Sequence, residues 1–324
     1  MRTVILKRLL HLVPLLLGVS LLTFLVMHAA PGDYLDTMRA DPAVSPEAIE
    51  AMRTRFGLDQ PLPLQYLSYL KNVFLRLDFG YSFAYHRPVF EVLAQGLLNT
   101  FVLALAGSCV AWGLSIPLGI LSAVRHNTWV DRACSFVAFV GLSVPEVFLA
   151  LLLLLFAART GWFPIGGMRS LDSDSLGWGR RALDLLHHLV LPALAVGLAP
   201  MASRMRQMRA NLLDVLHAEY VTTARAKGLP ESAVVLRHAV RNALNPLITL
   251  FGYSLGFLLT GSFLVEVVMG WPGLGRLTLT ALLQRDLYVV MGSVLLTSGV
   301  LVLGNLAADL LLVLADPRIR AESA

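Results

Sequence analysis

The chain has 324 residues, 56% of them hydrophobic and 15% charged, with a mean hydropathy of +0.70. Soluble globular chains are about 45–50% apolar and about 25% charged, so too few charges are present to cover a water-facing surface. High apolar content excludes disorder, and two cysteines cannot staple a chain of this length. The net charge of +5 does not gather into one basic domain of the kind that binds nucleic acid; the cations fall in gaps between apolar runs, as a membrane topology signal places them.

A bilayer-crossing helix needs about 20 apolar residues. Six runs meet or approach this: 9–30, 97–124, 133–158, 189–203, 246–269 and 289–314, the fourth continuing as helix into the basic stretch after it. The expected fold is an all-α membrane bundle of six transmembrane helices, with its core in 97–314 and a first helix in 1–30. Lys and Arg number 14 in the 68 residues of gaps on the side of the termini and 12 in the 115 residues on the other side. Both termini, the 204–245 loop and the 315–324 tail are therefore expected in the cytoplasm. The first apolar stretch exceeds a signal-peptide core, so it is read as an uncleaved span. Cys109 and Cys134 are read as small packed thiols.

The 31–96 loop, on the far side, is expected to be helical. Ser45, Pro46 and Glu47 form a helix start, and Gly57 a stop. A second helix follows Pro61–Pro63 and sets Tyr66, Leu67, Leu70, Val73, Phe74 and Leu77 on one face. That face packs on the bundle or receives an external partner.

In 204–245, residues 211–228 read as one polar helix ended by Gly228, and a second runs from Glu231 to about Arg241. Seven basic residues make this loop cationic, suited to lipid headgroups or to docking a cytoplasmic partner. Six elements in order carry a resemblance: the Pro31-Gly32-Asp33 exit of the first run; Glu219 to Leu229 (EYVTTARAKGL); Arg237 to Pro246 (RHAVRNALNP); Gly270 to Arg276 (GWPGLGR); Arg285-Asp286; and Asp316 to Arg320 (DPRIR). Together they resemble the permease subunits of the oligopeptide/dipeptide/nickel group of binding-protein-dependent ABC importers, type I, with a MetI-like transmembrane domain.

The resemblance implies a second permease, two cytoplasmic ATPases that bind the ATP, and an extracytoplasmic substrate-binding protein, with di- or oligopeptide as the foremost cargo. It also implies that 217–228 is a coupling helix seated on an ATPase, with Glu219, Thr223, Ala224, Arg225, Ala226, Lys227, Gly228 and Leu229 as its functional residues. Family loops begin Glu-Ala-Ala six residues before the glycine; Thr222-Thr223-Ala224 stand there instead, and Glu219 is the nearby acid. Arg225 and Lys227 offer cations to partner carboxylates.

The chain's three lysines, Lys7, Lys71 and Lys227, form no Gly-Lys-Ser/Thr phosphate loop, so any ATPase is another chain. An intramembrane serine protease at Gly141-Leu142-Ser143 would need a histidine at membrane depth, and only His28, near the end of its run, comes close. The chain is expected to be no enzyme and to bind no metal. An alternative is an ion-gradient-driven secondary transporter coupled through Glu146, which lies ~20 Å into the third run at 1.5 Å per residue. An acid at that depth lines a pathway, holds a proton or bonds a neighbouring helix. Pro145 makes the helix irregular there. Gly252 and Gly256 are a small-xxx-small packing pair, and Trp271, Pro272, Gly273 and Gly275 form an outer gate or a plain tight turn.

Overall fold

The computed structural model describes residues 2–29, 34–39, 45–55, 57–248, 250–251 and 262–315. The chain divides into two compact units, one of residues 1–100 with 272–303 and the other of 101–271 with 304–324.

The first unit begins with α1 (Arg2–Ala29), then α2 (Tyr34–Arg39), α3 (Pro46–Arg55) and α4 (Leu62–Arg76). The expected cap is formed: the Ala48 N–H donates to Ser45 Oγ at 3.2 Å. Gly57 ends the α3 region at φ +66°, a conformation that suits glycine. The face expected of α4 is only partly right. Tyr69 and Val73 are buried and Tyr66 and Leu70 half-buried, whereas Leu67, Phe74 and Leu77 are exposed. Tyr66 turns inward with its polar tip satisfied: its Oη donates to Leu17 O at 3.1 Å and lies 2.9 Å from Ser20 Oγ of α1.

Among the described residues, otherwise helical, one short hairpin pairs β1 (Tyr81–Ser82) antiparallel to β2 (Arg87–Pro88). Its anchor is Asp286, fully buried, which accepts from Ser82 Oγ at 2.6 Å and from the Ala84 N–H at 3.1 Å. The unit's core joins Leu16, Phe24, Tyr69, Val73, Phe79, Leu93 and Met291.

Helix α5 (Val89–Val124) starts in the first unit and continues into the second, which also contains α6 (Trp129–Ser143), α7 (Glu146–Thr160) and α8 (Trp178–Leu216). Next come α9 (Glu219–Ala226), α10 (Glu231–Ala233), a π-helical turn (Val234–Ala239), α11 (Val240–Ala243) and α12 (Phe263–Val268). Helices α13 (Leu274–Leu283) and α14 (Leu287–Ala315) follow. Glycines let α5 and α8 approach closely, backbone to side chain and backbone to backbone. A Cβ on Gly119 would stand 2.7 Å from Met208 Cβ, and one on Gly197 would stand 2.7 Å from Gly107 O. Cys134 is buried as expected; Cys109 is exposed on α5.

Four described helices, α1, α5, α8 and α14, are long and apolar enough to cross a membrane. The third apolar run is not one straight helix: α6 and α7 meet at an angle of 109°. Counted as one broken span, the pair brings the described total to five. The middle of the fifth apolar run, 252–261 with Gly252 and Gly256, lies outside the described residues.

Candidate functional site

The 211–228 segment is two helices rather than one. Helix α8 ends at Leu216 and α9 starts at Glu219, with Ala218 extended between them (ψ 147°). The break frees α9 to lay its apolar edge on a core of its own. Val221 is fully buried and Ala224 nearly so, against Met208, Leu212, Val234, Val235, Ala239 and Val240. The remaining positions, Glu219, Tyr220, Thr222, Thr223, Arg225, Ala226 and Lys227, are exposed and form the outer face of α9. Gly228 and Leu229 continue that exposure. Gly228 has φ +76°, and a Cβ there would meet nothing, so backbone conformation and not space calls for glycine.

Arg225 is already engaged. Its guanidinium donates from Nη2 to Glu231 Oε1 at 2.8 Å and from Nε to Glu231 Oε2 at 3.1 Å. This forked pair spans the Gly228 turn and holds the Glu231 carboxyl below its ordinary range. Arg225 remains exposed while so paired, and Lys227 is exposed beside it.

Behind α9 the backbone is π-helical, with the Val240 N–H donating to Val235 O, five residues back. Two amides secure the stack: Asn242 Nδ2 donates to Tyr220 Oη at 2.8 Å, and Asn211 Nδ2 to Ala243 O at 3.1 Å.

A second polar cluster escaped the sequence reading. Asp131, 4% exposed, accepts both arms of Arg209 (Nε to Oδ1 and Nη2 to Oδ2, each 2.8 Å) and also binds Ser122 Oγ and the Asn127 N–H. His126 Nδ1 lies 3.4 Å from Oδ2. The cluster locks the end of α5, the start of α6 and the lower part of α8 together. The available signal was an acid in the first turn of a helix, two residues before an apolar run, where burial calls for a partner.

At the α6–α7 junction, Pro145 is the residue before the first turn of α7 and Glu146 opens that turn. Glu146 is half-buried, and its Oε1 is sealed without a hydrogen-bond partner among the described residues. Glu266, also in an apolar run, is buried and accepts from Ser262 Oγ at 2.9 Å.

The Gly270 to Arg276 motif is a built turn. Trp271 is fully buried against Leu103 and Leu189, and Gly270 takes φ +66°. Pro272 O accepts from Asn99 Nδ2 at 2.8 Å; Gly273 is buried before α13, whose Leu274 N–H donates to Thr100 Oγ1 at 2.7 Å. Gly275 is half-buried in the first turn of α13. Among the described residues, no group of His, Cys, Asp and Glu has the arrangement of a metal site.

Residues 115–321 match the family of the binding-protein-dependent transport system inner membrane component, and residues 1–104 match the N-terminal region of such membrane components. The chain belongs to that family. Among its relatives is the oligopeptide transport system permease protein AppB of Bacillus subtilis (strain 168), 40% identical over 321 residues, covering 98% of this chain and 99% of the relative. Another is the glutathione transport system permease protein GsiC of Escherichia coli (strain K12), 39% identical over 317 residues and 98% of each chain. The protein is thus a permease subunit of an ABC importer, a multi-pass component of the inner membrane, and its family works with ATPase and substrate-binding partners.

Proposed function

We propose that this permease pairs with a second, similar permease, two cytoplasmic ATPases and an extracytoplasmic binding protein, and imports short peptides. Six spans put both termini, the 204–245 loop and the 315–324 tail in the cytoplasm, and the 31–96 loop outside. The reading rests above all on α9, a short helix whose inner edge is fixed by Val221 and Ala224 while its outer face is polar and exposed. Such a helix transmits a push instead of absorbing it. ATP-driven closure of the ATPases moves α9, and the core against which it packs carries the displacement to α8 and α5. ATP hydrolysis then resets the cavity inward.

Glu219, Thr223, Ala226 and Lys227 meet the ATPase groove; Arg225 and Gly228 shape the helix that presents them. Glu146, at the bend between α6 and α7, lines the path and favours cargo bearing an amino group. Gly252 and Gly256 pack a helix closely, and the Trp271 turn braces the outer end of the path. The peptide cargo is inferred from the relatives, one named for oligopeptides and the other for glutathione, itself a short peptide.

The test is co-purification of the tagged chain from its native membrane, with mass spectrometry and an ATPase assay. A second permease and ATP-hydrolysing subunits in the eluate are the expected result. A chain that elutes alone and still moves peptide in liposomes under an ion gradient would sink the proposal.

A further inference from the structure

The first unit holds a cavity of about 530 Å³ that the transport mechanism does not use, walled by α4, the end of α3, the hairpin and the start of α14. Its size suits a small organic ligand. The lining is mixed in a specific way. Asp78 brings a carboxylate, Arg55 a guanidinium, Ser68 and Asn72 neutral hydrogen-bonding groups, and Tyr69 and Tyr288 an aromatic wall with ring centroids 6.3 Å apart.

The site is built by backbone geometry. Leu77 adopts φ 54°, which turns the chain so that the Asp78 N–H donates to Asn72 O at 3.1 Å. The Asp78 carboxylate is then held by the Gly80 N–H at 2.9 Å to Oδ1, and Oδ2 remains for a ligand. Gly80, at φ +93°, lies so close to Tyr288 that a Cβ would stand 3.0 Å from its Cδ1. Tyr69 is 5% exposed, and its Oη is sealed without a hydrogen-bond partner among the described residues. Burial, then the neighbouring Tyr288 and Tyr66, push its ionisation far up, so it remains a neutral O–H donor.

We infer that this cavity binds a small zwitterion, an amino acid or short peptide, with its ammonium at Asp78, its carboxylate toward Arg55 and its body against Tyr69 and Tyr288. An ammonium between a carboxylate and aromatic faces is held by charge and by the ring quadrupoles together. This is a binding site separate from the coupling helix and from Glu146, and it does not depend on the ATPase partners.

The experiment is calorimetric titration of the purified full chain in nanodiscs with alanyl-alanine, its N-acetyl derivative, its C-terminal amide and propylamine. Alanyl-alanine is expected to bind, with each blocked form weaker by on the order of tenfold, the ratio that one charge-assisted contact supplies, and propylamine weaker still. In D78N, whose Oδ1 still accepts from Gly80, the parent peptide should fall to the level of its N-acetyl form. Y69A, which removes one side of the aromatic wall, should weaken all the peptides several-fold while keeping the discrimination between them. Hydrogen exchange at 54–81 reports whether each variant keeps its fold. Absence of binding heat with every peptide, or D78N binding alanyl-alanine as the parent does, overturns the inference. Because no ATPase is present, neither result bears on the importer assignment.

Discussion

Arg225 and Glu231 clasp each other across the Gly228 turn, the two guanidinium nitrogens lying 2.8 and 3.1 Å from the two carboxylate oxygens. The pair closes the loop between α9 and the π-helical turn, so the outer face of α9 is presented at a fixed angle. Glu231 has its folded-state carboxyl depressed by Arg225. Its contribution is therefore present above the ordinary carboxylate range and is lost as pH falls through the depressed value. Both side chains are largely exposed, so salt screens the pair and the effect on global stability is small. E231Q should leave the melting temperature nearly unchanged and raise amide exchange in 219–231 above that of the parent at neutral pH. Identical exchange in parent and variant at pH 7 would show that the clasp orders nothing.

The two alanines of α9 should behave in opposite ways. Ala226 is exposed, so A226W should leave the chain folded and abolish recovery of the ATPase subunits on co-purification. Ala224 is packed in the core behind the helix, so A224W overpacks it at a cost of about 1–3 kcal/mol. Its loss of partners should come with a lowered melting temperature. Recovery of a normal complex with A226W would move the docking surface off α9.

Asp131 is buried and its partner Arg209 only half-buried, so removing the carboxylate leaves a guanidinium with some access to water. D131N is expected to destabilise the chain by about 1–3 kcal/mol, read as a drop in melting temperature in detergent. S122A removes a single hydrogen bond and should cost about 1–2 kcal/mol. The double variant D131N/R209Q should recover part of the loss, since no unpaired guanidinium remains. An unchanged melting temperature in D131N would contradict the clamp.

Glu146 is tested by cargo charge. E146Q should reduce transport of peptides with a free amino terminus or a lysine on the order of tenfold, the equivalent of about 1.4 kcal/mol, and of neutral blocked peptides far less. An equal loss for both classes would assign the carboxyl to the architecture of the α6–α7 bend.

Elements set by short-range chemistry were legible along the chain. The Ser45 cap acts over three residues, and the Gly228 stop depends on one backbone angle; both are where the sequence puts them. The 109° break between α6 and α7 falls at Pro145, where irregularity was expected, although its size was not foreseeable from a proline alone. The 211–228 segment was read as one helix, and its division at Ala218 was not foreseen, because the residues on either side are all compatible with helix.

Composition and hydropathy also placed the chain in a membrane, since apolar runs of bilayer length admit no other solvent. Which apolar residues face inward on α4, and that Cys109 is exposed while Cys134 is buried, depended on what stands opposite each face. The same holds for the polar anchors. Asp131 finds Arg209 across 78 positions, and Asp286 finds Ser82 across 204. Local propensity and periodicity act within about one helical turn, whereas such pairs exist only once packing has brought distant helices together and removed water from between them.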